Sequence, residues 1–454
     1  MHEEILSLLA SDKVRFIRIT WCDNANIIRA KAVHRTSFTR GCVQHGVGIS
    51  EAQQAVPVMF DAPSGGSGLG PVGEVRLVPD LSTAVLLPYA PGHARVMGGM
   101  MKDGRPWPFC PRDFLKRMIS AASQMDLQIQ AAFENEFYLL KPVPDAATDT
   151  TAGRMLSPVP ADQTLFAATA SMDLQRAVID DIAVALAAQG IMVEQYYPES
   201  GPGQQEITIR HTAALSAADR QIAFRETVKA VAVQHGLGAT FMPKPFENQA
   251  GSGCHLHLSL WQNGANLVPD GSGGLSTTAR SFTAGILSHL PALMALTTPS
   301  VNSYRRIRPH CWSGAFRCWG FDNREAAIRV PTHPETPSPT HIELKTVDAS
   351  SNPYIALGGV LAAGLDGILR GLQPPAPVSV DPGILPEEER AAISIDALPT
   401  RLGDSLEALR KDGVLLEALG PDLARAFLAV RQAEWDTMKD WTLGKEVALL
   451  HDRY

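Results

Sequence analysis

The chain has 454 residues, 45% hydrophobic and 19% charged, an ordinary globular balance with room for a large core and two domains. A formal net charge of −7 and a pI near 6.0 exclude the basic surface that a nucleic-acid partner would need. No apolar run is long enough to span a membrane, and the acidic opening Met1-His2-Glu3-Glu4 lacks a signal peptide's basic start. Six cysteines, at positions 22, 42, 110, 254, 311 and 318, show neither disulfide-framework nor zinc spacing, which fits a reducing cytoplasm.

In chain order, residues 14–33 read as a β-hairpin turning at Asp23-Asn24-Ala25-Asn26, within a small N-terminal domain over 1–100. Residues 62–73 are a Gly/Pro/Ser-rich loop, and 97–108 read as a hinge between domains. A larger domain follows over 106–454, where helical and extended patterns alternate. Residues 171–189 predict an amphipathic helix, with Met172, Ile179, Ile182 and Leu186 on one stripe and Gly190 as its stop. A second helix is expected over about 217–234, a strand over 239–242, a proline-rich loop over 374–382 and a terminal helix over 426–452.

The chemistry lies in four alternating segments. Gly251-Ser252-Gly253-Cys254-His255-Leu256-His257 sets two imidazoles on one side of an extended strand, after glycines that permit close approach. Phe133-Glu134-Asn135-Glu136-Phe137 places two carboxylates on one face of an otherwise apolar strand, where like charges repel and burial is costly. Pro198-Glu199 through Gln205-Glu206 brackets a Gly/Pro-rich turn with two more acids, and His341-Ile342-Glu343-Leu344-Lys345 repeats the alternation. Five carboxylates with a histidine form a ligand set for hard divalent cations such as Mg²⁺ or Mn²⁺. Arginines follow at Asn302-Ser303-Tyr304-Arg305-Arg306 and Asn323-Arg324-Glu325-Ala326-Ala327-Ile328-Arg329. Arg329 sits in an apolar run that a surface arginine would avoid, and beside such metals a guanidinium fork suits phosphate or carboxylate.

The order of these segments, from about residue 14 to the end, resembles the glutamine synthetase superfamily. The resemblance implies an α+β fold: a small β-grasp-like N-terminal domain and a large catalytic domain with a curved antiparallel sheet flanked by helices. It also implies ATP, two divalent cations per site, and a cytoplasmic homo-oligomer, a dodecamer of two stacked hexameric rings or a related ring. By the same resemblance Glu136, Glu199 and Glu206 match one metal site, and Glu134, His255 and Glu343 the other. His257, Ser259 and Glu194 match nucleotide-side positions, and Arg324 and Arg329 the pair facing the transferring phosphoryl group. Arg306 matches the arginine that holds glutamate's α-carboxylate, and Gly251 a backbone contact to glutamate.

Three departures bear on the attacking amine. Where ammonia-using members carry a flap glutamate, this chain has Trp312, which accepts no proton but offers an apolar or cation–π wall. The stretch 46–51 has no acid at the best-aligned position of the N-terminal ammonium aspartate, although Glu51 is close. Lys345 replaces an arginine, keeping the charge and losing the fork. The expectation is an ATP-dependent ligase joining glutamate to a polyamine, alkylamine or aromatic amine. The alternatives are an ammonia-dependent glutamine synthetase and a non-catalytic assembly protein.

Overall fold

The computed structural model describes residues 2–142, 158–332 and 340–454. A first sheet is assembled in the order Ile28–His34, Phe16–Cys22, His93–Lys102, Glu74–Leu86, Val47–Ser50, with Arg105–Pro106 paired to His93–Lys102. Phe16–Cys22 and His93–Lys102 run parallel, and the other neighbours antiparallel. Alternation explains its single buried face: Val75, Leu77 and Leu81 are buried while Glu74 and Arg76 are exposed.

The predicted hairpin is present. Asp23 closes its turn by accepting from the amides of Ala25 and Ile27 at 3.0 and 2.8 Å, with Asn26 left-handed at φ 63°. The tip is buried in the second domain: Asn26 donates to the Ala349 carbonyl (2.7 Å) and accepts from Arg225 (3.0 Å).

Residues 97–108 do not form the expected hinge. Met97 is 2% exposed in a strand paired on both sides, and the chain turns back at 103–104 to pair Arg105–Pro106 on that strand before leaving the sheet. Gly98 serves packing, since a Cβ there would lie 2.4 Å from Leu77 Cδ1.

The second sheet runs Phe316–Phe321, Ala326–Val330, Ile342–Leu344, Cys254–Gln262, Gln128–Lys141, Gln204–Ile209, Val193–Pro198, with four short strands at its margins. The pairing is antiparallel as expected, except that Phe316–Phe321 and Ala326–Val330 are parallel. Period-two alternation divides each central strand between two environments. Ile129, Ala131 and Phe133, like Cys254, Leu256 and Leu260, join the core packed against the helices. Glu134 and Glu136, like His255 and His257, face the opposite side, which is a cleft.

The helices Pro111–Gln124, Thr169–Ala187, Ala214–Gln234, Thr277–Thr297 and Pro353–Leu369 cover the core side. Asn352 caps the last of these, accepting from Tyr354 at 3.0 Å, with Pro353 at the first helical position. The two predicted inner helices are thus found with ends shifted by a few residues. The terminal one is interrupted: Pro421–Met438 and Leu443–Leu450 are separate helices, because Thr442 restarts the second as its N-cap. Trp435 and Trp441 pack back on the core.

Candidate active site

The cleft has a volume of about 1230 Å³, large enough for more than one small ligand. Strand register places its ionisable groups. Glu206 is directly opposite Glu136 across one antiparallel pair, His255 opposite Glu134 across the next, and Glu343 opposite both His257 and Arg329. Segments far apart in sequence are thereby fixed by backbone hydrogen bonds before any ligand arrives.

The acids divide into two groups. Glu134 accepts from His255 Nδ1 at 2.9 Å and lies 3.5 Å from His257 Nε2. Glu343 accepts from Arg329 (2.8 Å) and Lys345 (3.1 Å), and lies 3.3 Å from His255. Burial alone would raise both carboxyls. The two histidines instead hold Glu134 well below its ordinary range, and Lys345 with His255 does the same for Glu343. Glu134, His257 and Glu343 offer ligand atoms within 4.8 Å of one another, so His257 stands in reach of a cation that the sequence assigned to Glu134, His255 and Glu343.

Glu136, Glu199 and Glu206 form the other group, and among the described residues no lysine or arginine pairs with them. Burial, then Glu134 and Glu136, push the Glu206 carboxyl up to about 11; burial and Glu136 push Glu199 up to about 7. Glu206 Oε1 is buried with no hydrogen-bond partner. Such a triad is destabilised by its own charge, which a divalent cation bound to its oxygens would offset. One consequence is testable without turnover. Between the ordinary value of 4.5 and the folded value of about 11, folded Glu206 retains a proton that the unfolded chain has lost. Stability therefore falls as pH rises. His255, raised above 6.5 by Glu134 and Glu343 against burial and Lys345, contributes in the same direction above 6.5. Metal-free protein is expected to melt at progressively lower temperature from about pH 7 to 9, and saturating Mg²⁺ or Mn²⁺ to flatten that slope. A flat metal-free profile would contradict this charge balance.

The remaining predicted residues fall as follows. Gly251 and Gly253 are obligatory close approaches: a Cβ would lie 2.4 Å from Arg306 Cγ at the first and 2.5 Å from His255 Nε2 at the second. Arg306 is 6% exposed, with Nη2 donating to the Lys345 and Val347 carbonyls (3.2 and 3.0 Å) and Nε buried without a partner. Lys345 lines the cleft, is 3% exposed and donates to Glu343, where it balances charge in the acidic cluster. Glu194 borders the cleft at an exposed ion pair with Arg210 (2.8 Å), and Ser259 accepts from Trp261 Nε1 at 2.9 Å. Trp312 is 57% exposed in the cleft wall, left-handed at φ 53°, with the Arg324 guanidinium 5.9 Å from its ring centre.

Sequence reasoning missed several groups. Gln204 reaches Glu136 (3.4 Å), the Gly251 carbonyl (3.0 Å) and Ser252 Oγ (3.1 Å), tying the acidic turn to the glycine segment. The His341 ring lies 5.1 Å from that of His257, tilted by 41°, and burial with that neighbour pushes it down to about 4. Glu325 accepts from the Trp312 amide at 2.8 Å. Gln204 and His341 lay inside segments already singled out, and their alternation with the acids was the available signal. Glu325 gave none.

Residues 4–107 match the model of the glutamine synthetase N-terminal domain, and residues 108–448 that of the glutamine synthetase catalytic domain. The chain belongs to the glutamine synthetase family. It is 38% identical over 433 residues to gamma-glutamylpolyamine synthetase GlnA3 of Streptomyces coelicolor, covering 94% of this chain and 91% of that protein. Identity to type-1 glutamine synthetase 1 of Dictyostelium discoideum is 35% over 460 residues, covering 96% and 89%. Among solved structures, a GmaS/ADP complex superposes with a TM-score of 0.82 at 31% identity, covering 96% of this chain and 97% of that one. The protein is accordingly an ATP-dependent ligase with the expected α+β glutamine synthetase fold. Members of the family use ATP with divalent cations and are generally oligomeric. No described helix is long and apolar enough to cross a membrane.

Proposed function

We propose that this ligase joins glutamate, through a γ-glutamyl phosphate, to a primary amine larger than ammonia: a polyamine, an alkylamine or an aromatic amine. The observation that carries the amine assignment is Trp312, half-exposed in the cleft wall where a proton-accepting carboxylate would serve ammonium. The likeness to a gamma-glutamylpolyamine synthetase supports it. Type-1 glutamine synthetase 1 matches along most of the chain as well, so overall similarity does not by itself separate the two amine classes.

A carboxylate does not condense with an amine in water, because its leaving group is poor. Transfer of a phosphoryl group from ATP converts it to an acyl phosphate, whose leaving group is phosphate. Glu136, Glu199 and Glu206 would hold one divalent cation and Glu134, His255 and Glu343 a second, Mg²⁺ or Mn²⁺, which supply neutralisation of phosphoryl charge. Arg324 and Arg329 face the moving phosphoryl group, and Arg306 orients the α-carboxylate of glutamate near the Gly251 backbone. His257, Ser259 and Glu194 border the nucleotide. In the proposed assembly, a ring or a pair of stacked hexameric rings in the cytoplasm, the neighbour's N-terminal domain closes the cleft against water, and a lone monomer is inert.

Hydroxylamine tests the acyl phosphate directly. With ATP, Mg²⁺ or Mn²⁺ and glutamate, it is expected to yield γ-glutamyl hydroxamate together with ADP and phosphate. ATP cleavage without hydroxamate would rule out an activated glutamate.

A further inference from the structure

The segment 310–314 is built against local preference. His310 and Trp312 are both left-handed without being glycine, at φ 59° and 53°, and Gly314 continues the pattern at 73°. Such backbone persists only where surrounding groups hold it. Two outside groups do so. His310 Nδ1 lies 2.8 Å from Asp381 in the proline-rich loop. Behind Trp312, the Glu325 carboxylate is 7% exposed and accepts the Trp312 amide at 2.8 Å, while its second oxygen is buried without a partner.

Glu325 is itself fixed by Asn323, whose side-chain oxygen accepts the Glu325 amide (3.0 Å) and whose amide group donates to the Val378 and Val380 carbonyls (2.9 Å each). The preceding residue, Arg324, sends its guanidinium over the Trp312 ring from the cleft side. Successive side chains of one turn therefore grip one tryptophan, Arg324 at its ring and Glu325 at its backbone. A buried carboxylate bound to an amide is a charge-assisted hydrogen bond, stronger than a neutral one and demanding in geometry. With a neutral apolar residue at 325, nothing on that side would hold the amide, and the strained segment would relax to conformers that swing the indole away.

The geometry points to Glu325 as the positioning residue that sets amine choice, by holding Trp312 in the cleft wall through its backbone. This rests on the reading of Trp312 as the amine-facing wall, and it adds a determinant that touches neither amine nor phosphate.

The test compares kcat/KM for ammonia and for the preferred amine in four variants. Trp312→Ala is expected to lower the preference for the larger amine, and Glu325→Ala to lower it by a similar factor, roughly tenfold, as loss of one charge-assisted hydrogen bond would allow. Glu325→Gln keeps an acceptor at the same reach and should retain the preference within about twofold, whereas Glu325→Asp, one methylene shorter, should lose it. The last two decide the matter if Glu325→Ala does not fold. A purely structural role would lower melting temperature and both kcat/KM values together, leaving their ratio unmoved, and that result would overturn the inference. A shifted ratio in Trp312→Ala with an unmoved one in Glu325→Asp would overturn it while leaving the wall intact. An unmoved ratio in Trp312→Ala removes the wall, and the inference with it.

Discussion

Glu206→Ala is expected to fold and assemble yet turn over slower by on the order of 10²–10³, the scale on which loss of one group stabilising transition-state charge is felt. Its carboxylate faces Glu136 across the strand pair, with one oxygen buried and unpartnered. Removing it takes away an oxygen ligand, but it also removes a buried carboxyl that the neighbouring acids force to keep its proton, at a cost to the fold. Metal-free Glu206→Ala should therefore be no less stable than the parent at neutral pH, apart from the cavity left by the side chain, and should lose much of the parent's gain in melting temperature on adding Mn²⁺. Glu206→Gln, with the volume kept, separates the two effects. Parent-like turnover in either variant would sink the assignment of Glu136, Glu199 and Glu206 to a metal.

Trp312→Glu should change choice rather than rate. The position already adopts the left-handed conformation, so glutamate meets about the same backbone cost as tryptophan. Its carboxylate would stand in the cleft wall beside Arg324 and could draw in an ammonium ion and take its proton. Relative to the larger amine, kcat/KM for ammonia is expected to rise by about tenfold, the effect of ~1.4 kcal/mol of differential interaction. An unchanged ratio would mean that this segment does not set the amine.

The catalytic face was legible in the sequence because it is built of strands. Alternation of period two put Glu134 with Glu136 and His255 with His257 on one side, and the cross-strand register then brought Glu206 and Glu343 to them. Contacts that depend on long loops were not legible. Glu325 follows an arginine of interest by one residue, yet its reach to the Trp312 amide depends on how the turn at 322–325 is seated. Arg305 reads as a surface arginine beside Arg306, but it is bound to the fully buried Glu446 of the last helix at 2.7 Å. Met97-Gly98-Gly99 shows the opposite error: Gly98, which read as part of a hinge, lies under Leu77, with no room for a Cβ. Small residues required by packing and small residues required by motion look alike until the neighbouring strand is known.

The most direct measurement is phosphate release from ATP, with Mg²⁺ or Mn²⁺ and glutamate, across ammonia, polyamines, alkylamines and aromatic amines, with product mass recorded for each. The account predicts release that is strong with one class of larger amine, weak with ammonia, and matched by the mass of a γ-glutamyl amide. Ammonia as the best substrate, with glutamine as product, would contradict it.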